Sequence, residues 1–272
     1  MRQFIAFLIA LCVAVSGHAA PDAVNKLSFV LLAQPRLPAA DAYRAALEAR
    51  LKGRVRIDGM EGGDGQAILL RTRGGTAMVG LIDAPLPKGQ VDDLCRSAWY
   101  WQDACAAVGR HRAHAVVMLM GLDLDRLDTA LLLTDMVAAL MDDDDNAIAS
   151  YWLASLQSRQ AVLDQSRHIS RESPPVWLWV NFRLSGSRAQ GWSLSTEGLD
   201  AFGLMEIETR DARRPGADVF GMVADTASYL IHKGAVIKDG DTLGDSPAMD
   251  IRVTHSPSYW REGKRVYRIT FP

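Results

Sequence analysis

The sequence predicts an α+β fold, with helices packed on mixed, mainly antiparallel sheets and two similar α/β sandwich halves as one arrangement. Two observations carry this. Apolar runs of strand length alternate with stretches whose apolar residues recur at helical spacing, and glycine-containing turns join neighbouring strands as hairpins. Helices mixed with hairpins favour α+β over a doubly wound parallel sheet.

Element by element, Leu27 to Leu32 reads as a buried strand. Ala39-Ala40-Asp41 starts a helix whose apolar positions Tyr43, Leu47 and Leu51 lie on one face before Gly53 ends it. Val55 to Ile57, Ala67 to Thr72 and Thr76 to Ile82 read as strands, the last two joined through Gly74-Gly75, and Pro85 and Pro87 close the section. A helical stretch then carries Cys95 and Cys105, His114 to Met120 is a strongly apolar strand, and Leu124 to Met141 is the best helix of the chain. Ala147 to Leu153 returns as a strand, giving an order close to βαβββαβαβ. Ser158 to Pro175, polar and closed by Pro174-Pro175, reads as a linker or mobile segment. Beyond it, Val176 to Leu184, Trp192 to Thr196 and Leu204 to Thr209 read as strands, and Asp218 to His232 as a helix stopped by Gly234. Two late strands, Ile251 to Thr254 and Val266 to Phe271, finish the chain.

The organisation expected is therefore a signal peptide at 1–19, an N-terminal half at 20–157, a linker at 158–175 and a C-terminal half at 176–272. The leader rests on Arg2, the unbroken apolar run Phe4 to Val15 and the small residues ending at Ala19-Ala20. That run is shorter than the roughly 20 apolar residues of a spanning helix, so a periplasmic or secreted protein without stable membrane insertion is expected. The formal net charge of −2, which becomes −3 once Arg2 leaves with the leader, is scattered over both signs. Nucleic acid and anionic membrane surfaces reward clustered Lys and Arg, so neither is the expected partner. One charge run, Asp142 to Asp145, reads as a solvated end to the preceding helix.

Two cysteines remain after processing, Cys95 and Cys105, an even count that in an exported chain invites a disulfide. On one straight helix their ten-residue spacing holds the Cα atoms about 15 Å apart, beyond the roughly 7 Å a bridge allows. A bridge therefore requires a break, and Trp99-Tyr100-Trp101-Gln102-Asp103 offers one. Two buried thiols are the alternative.

From Trp177 to the C-terminus the chain resembles the bacterial family known as domain of unknown function 4261, through STEGLDAFGLMEIE at 195–208 and VIKDGDTLG at 236–244. LCRSAWYW at 94–101, GRHRAHAVVMLMG at 109–121 and GLIDAPLP at 80–87 are similar to the region that precedes that domain. The resemblance implies a fold unit and supplies no activity.

Candidate sites are few, and each has a structural alternative. Asp239, Asp241, Gly244 and Asp250 fall at positions 1, 3, 6 and 12 of a calcium loop, which needs oxygen ligands converging around a glycine turn. Leu243 stands at its fifth position where an oxygen donor belongs, so a structural turn is the stronger expectation and no metal is assigned. His111 and His114 invite zinc but lack a companion ligand at useful spacing. Glu206 and Glu208 share one face of a strand, as an acid and base pair would, and as the solvent side of an edge strand would. Trp177 and Trp179 on one side of their strand, with Trp192, suit either core packing or an aromatic platform for sugars, which must leave a ring face open.

No G-x-S-x-G, phosphate loop, H-E-x-x-H or C-x-x-C occurs. These absences favour a non-catalytic binding protein for another protein or an envelope component, with no cofactor. A hydrolase built on Glu206, Glu208, Asp239 or Asp241, with or without a divalent ion, and an inhibitor of a secreted toxin are the alternatives.

Overall fold

In a computed structural model, residues 26–62, 65–142, 145–244 and 251–272 are described. The expected leader and Asp250 lie outside them. Strands β1 (Leu27–Leu32), β2 (Ile57–Glu61), β3 (Ala67–Thr72), β4 (Gly75–Ile82), β5 (Ala113–Met120), β6 (Ala147–Trp152) and β7 (Ser155–Ser158) form one sheet in the order β2-β3-β4-β5-β1-β6-β7. Every neighbouring pair is antiparallel. The apolar runs of β1 and β5 occupy its middle, where both faces are covered.

Strand alternation sorts those side chains. Val30, Leu32, Ala115 and Val117 face helices α1 (Ala40–Leu51) and α4 (Arg126–Met141), while Phe29, Leu31, Val116 and Ala149 face α2 (Lys88–Ser97) and α3 (Ala104–Val108). The break between α2 and α3 falls at 98–103, and it lets Cys95 and Cys105 close a disulfide with Cα atoms 4.9 Å apart.

Helix α4 begins at Asp125, whose Oδ1 accepts the Asp128 amide at 2.8 Å. It is buried nearly all round rather than along one stripe, because it has structure on every side. The first sheet and α1 lie against it on one side, α6 (Val176–Trp179) and a 3₁₀ turn (Leu199–Phe202) on the other. Trp179 Nε1 donates to Thr134 Oγ1 at 2.8 Å, and Thr134 donates in turn to the Ala130 carbonyl, so the indole is satisfied inside the core.

The second sheet runs β11-β12-β13-β10-β9-β8, comprising β8 (Asn181–Ser187), β9 (Gly191–Glu197), β10 (Glu206–Ala212), β11 (Thr242–Leu243), β12 (Ile251–Pro257) and β13 (Arg265–Thr270). Only β10 and β13 pair in parallel, because α7 (Gly216–Lys233) and the β11–β12 hairpin intervene between them. Val219, Val223, Ala227 and Leu230 of α7 share a core with Leu194, Ile207 and Ile269 of the sheet. That core is continuous with the one around α4, so the chain is α+β around a shared apolar interior. The two sheets differ in strand number and in this parallel pair.

Two expectations need correction. Val176 to Leu184 is not one strand: α6 turns first and β8 follows from Asn181. On a helical turn positions two apart diverge, which drives Trp179 into the core and Trp177 outward onto Phe220 with ring centroids 4.3 Å apart. The expected linker at 158–175 holds helix α5 (Arg159–Gln165). Ser158 caps it by accepting the Ala161 amide at 3.1 Å, Val162 is buried, and the Arg159 guanidinium donates to the Met141 carbonyl at 2.9 Å. Farther on, Arg171 pairs with Asp125 at 2.7 Å and Asp128 at 2.9 Å.

Candidate functional site: the open face of the second sheet

One face of the second sheet packs on α7; the other carries polar side chains. Residues directly opposite across a ladder share a face. Arg183, Ser195, Glu208, Arg268 and Thr254 are such partners across β8, β9, β10, β13 and β12, and form a row on the side away from α7. The β12–β13 loop folds over this row. A cavity of about 460 Å³ opens beside it, lined by Arg183, Ser185, Ser195, Glu197, Trp260 and Arg261.

The loop is fixed from beneath. Glu208 is 0 % exposed, and its Oε2 accepts the Tyr259 amide at 2.7 Å while Oε1 accepts the Ser258 hydroxyl. Ser258 Oγ also accepts the amides of Trp260 at 3.1 Å and Arg261 at 2.8 Å. These bonds turn the chain so that three side chains lie across the sheet. Tyr259 sits under the guanidinium groups of Arg268 at 3.8 Å and Arg210 at 5.4 Å. Trp260 meets Tyr259 edge-on at 5.7 Å and stays 49 % exposed. Arg261 donates to the Thr196 carbonyl. Arg183 and Glu197 pair at 2.7 Å on the far rim.

Glu206 lies on the same side of β10 but serves a different turn. Its Oε1 accepts the Gly198 amide at 2.8 Å and the Asp200 amide at 3.3 Å, and its Oε2 accepts the Thr196 hydroxyl at 2.6 Å. Burial holds this carboxyl above the ordinary glutamate value, against the opposing pull of the Thr196 and Gly198 bonds and of Arg261. The strand is interior to the sheet, so neither glutamate is an edge residue. Both have their oxygens filled by donors from β9 or the adjoining loops rather than turned toward a common space.

Asp239 and Asp241 also bond backbone. Asp239 Oδ1 accepts the His255 amide at 2.7 Å, and Asp241 Oδ2 accepts the Lys238 amide at 2.7 Å. Leu243 packs against the core from β11. Among the described residues no group of three or more His, Cys, Asp or Glu side chains is placed to hold a metal ion. His111 Nε2 accepts the Leu86 amide at 2.9 Å, with Nδ1 facing the Val108 carbonyl. His114, buried against Phe29, bonds the Ala84 carbonyl through Nδ1 at 2.8 Å, and burial lowers its pKa. Of the three tryptophans considered from sequence, Trp179 is buried and Trp192 lies partly buried against Gly216. Trp177 leaves 42 % of its surface open.

The matched region coincides with this sheet. Residues 195–270 match a domain of unknown function, DUF4261. The DUF4261 match takes in the last three residues of β9 and all of β10, α7, β11, β12 and β13, and so contains Glu206, Glu208 and the Ser258–Arg261 loop. Arg183 and Ser185, on β8, lie outside it. Comparison with curated proteins and with solved structures returned no match.

Sequence reasoning found the glutamates and missed the loop they support. The signal was Ser258-Tyr259-Trp260-Arg261, a hydroxyl residue able to bond forward amides followed by two aromatics and a cation between two strands. The face itself was hidden because it depends on the non-sequential pairing of β10 with β13.

Proposed function

We propose that this chain is an exported, non-catalytic binding protein whose ligand-facing surface is the open face of the second sheet. The observation that supports it is the use of Glu208: a fully buried carboxylate holds an aromatic and cationic loop over a cavity and takes no part in it. A pre-positioned loop of this kind reduces the ordering entropy of binding. The hydrolase alternative loses support, because Glu206, Glu208, Asp239 and Asp241 all accept bonds from backbone amides or hydroxyls of neighbouring segments. The Cys95–Cys105 bond supports an oxidising destination, in keeping with the leader.

Two measurements test this. Cell fractionation should recover a chain beginning near residue 20 from the extracytoplasmic space; recovery of the unprocessed chain from the cytosol overturns the export. Immobilised wild-type protein should retain an envelope component that an Arg183→Ala/Trp260→Ala double variant does not. Equal retention by both removes this face from the proposal, and turnover of any substrate lost in Glu206→Gln or Asp241→Asn restores the enzyme reading.

A further inference from the structure

Resting on that reading, we infer that the cavity beside Trp260 binds an acidic saccharide, with a sugar ring stacked on the indole and its carboxylate on Arg261.

Charge decides the class of ligand. Arg183 is neutralised by Glu197. Arg261 and Arg268 instead donate to the neutral carbonyls of Thr196 and Pro257, and neither forms an ion pair with an acid among the described residues. Glu208, the nearest carboxylate by register to Arg268, accepts from Ser258 and Tyr259 instead. The Arg261 guanidinium is thus held at the cavity by its carbonyl bond with no ion-pair partner among the described residues; the acid whose field it feels, Glu206, is buried and already filled by the Thr196, Gly198 and Asp200 donors. Guanidinium matches a carboxylate through paired N–H donors and keeps its charge at all working pH values.

The remaining lining suits hydroxyl groups. Ser185 and Ser195 offer hydroxyls that both donate and accept, and the Arg183–Glu197 pair presents donors and acceptors side by side at the rim. Trp260 provides an exposed flat ring beside them. An acidic peptide shares the charge but has less to engage. Peptides that join a sheet do so through an open strand edge. At the near edge, Phe182 of β8 already accepts the Trp99 indole N–H at 2.7 Å.

The test titrates trigalacturonate, maltotriose and a tri-glutamate peptide against the full processed chain by calorimetry, at low and high salt. Wild type, Trp260→Ala and Arg261→Gln are compared, with thermal melts to show that both substitutions, one at an exposed and one at a partly buried side chain, leave the fold intact. Trigalacturonate binding that exceeds maltotriose by about ten-fold, weakens with salt and falls by about ten-fold in each variant supports the inference. Equal binding of maltotriose, or no binding of trigalacturonate at millimolar concentration, overturns it. Stronger binding of the peptide, lost in the same variants, overturns the saccharide while leaving the face as a binding surface. Trigalacturonate binding unchanged in both variants overturns this site. If the immobilised double variant then also retains what the wild type retains, the broader reading of the face fails separately.

Discussion

Trp99 donates its indole N–H to the carbonyl of Phe182 at 2.7 Å, and its neighbour Tyr100 donates its hydroxyl to the carbonyl of Leu156 at 2.8 Å. Phe182 lies on β8 and Leu156 on β7, the terminal strands of the two sheets. Exposed strand edges template unwanted pairing, so one short loop blunts an edge of each sheet. Gln157 locks the arrangement by donating to Tyr100 Oη at 3.3 Å and to the Trp177 carbonyl at 2.7 Å. Burial raises the Tyr100 phenol to about 12, so it remains a donor through the physiological range.

The disulfide holds that loop at both ends. Reduction, or Cys95→Ala with Cys105→Ala, is expected to lower stability by about 2–3 kcal/mol, as for a closed loop of this size. Hydrogen exchange should accelerate selectively at 155–158 and 181–187. Protection there that is unchanged on reduction would show that the loop holds its place without the bridge.

Glu206 gives a signed pH dependence. Its folded pKa lies above the ordinary 4.5, so the folded state binds the proton more tightly than the unfolded chain. Its contribution is full below 4.5 and is lost as the pH rises through the higher folded value. Glu206→Gln keeps a carbonyl for the Gly198 and Asp200 amides, so its stability relative to wild type should improve between pH 4 and pH 8. Glu206→Ala strands those amides and should cost about 1–3 kcal/mol throughout. A Gln variant whose stability tracks wild type at every pH is the adverse result.

Glu208 should act on the loop without entering the cavity. Glu208→Ala leaves the Tyr259 amide without its acceptor and is expected to cost about 1–3 kcal/mol. It should also free Trp260, read as a drop in fluorescence anisotropy in a background where the other tryptophans are accounted for by a Trp260→Phe control. Unchanged anisotropy would mean that the Tyr259 and Arg268 stacking alone positions the loop.

Inside the first half, Asp135 on α4 is almost wholly buried and meets the half-exposed Arg54 guanidinium. Burial raises the Asp135 carboxyl in spite of that partner. Arg54→Ala strands the acid and is expected to destabilise by roughly 3 kcal/mol at neutral pH, most of it recovered in Arg54→Ala/Asp135→Asn. A double-mutant cycle by urea unfolding measures this; additive losses would show that the pair is not coupled.

Gly198 combines two restrictions: its φ is +127°, and a Cβ there would stand 2.7 Å from the Trp179 carbonyl oxygen. Gly198→Ala should therefore destabilise by more than the roughly 1 kcal/mol of an ordinary backbone penalty, since the same residue feeds the Glu206 carboxylate. Thermal melting equal to wild type would refute the packing argument.

Where local pattern decided structure, the sequence was legible. The helix over α1, with Tyr43, Leu47 and Leu51 inward, and the β3–β4 hairpin through Gly74 follow from periodicity and turn chemistry alone. The helical run of α4 was equally clear, though not its burial on every side, because that depends on α6 and the 3₁₀ turn arriving from far along the chain. Trp177 and Trp179 misled for a related reason: a bulky apolar quartet after Pro175 fits a strand by composition, and only the core slot between Trp152 and Phe202 selects the helical turn. Glu206 and Glu208 were visible as a same-face pair, but the hydroxyls and amides that occupy them come from residues 196–200 and 258–259. Spacing along one strand carries no record of those.

The DUF4261 match starts at Ser195, partway along β9, while β8 pairs with β9 from Gly191 to Glu197. A gene fragment trimmed to the matched residues would cut one strand in half and leave its flank raw. It would also discard Arg183 and half the cavity wall with it. Any transplant of this module into another protein should begin upstream of Asn181.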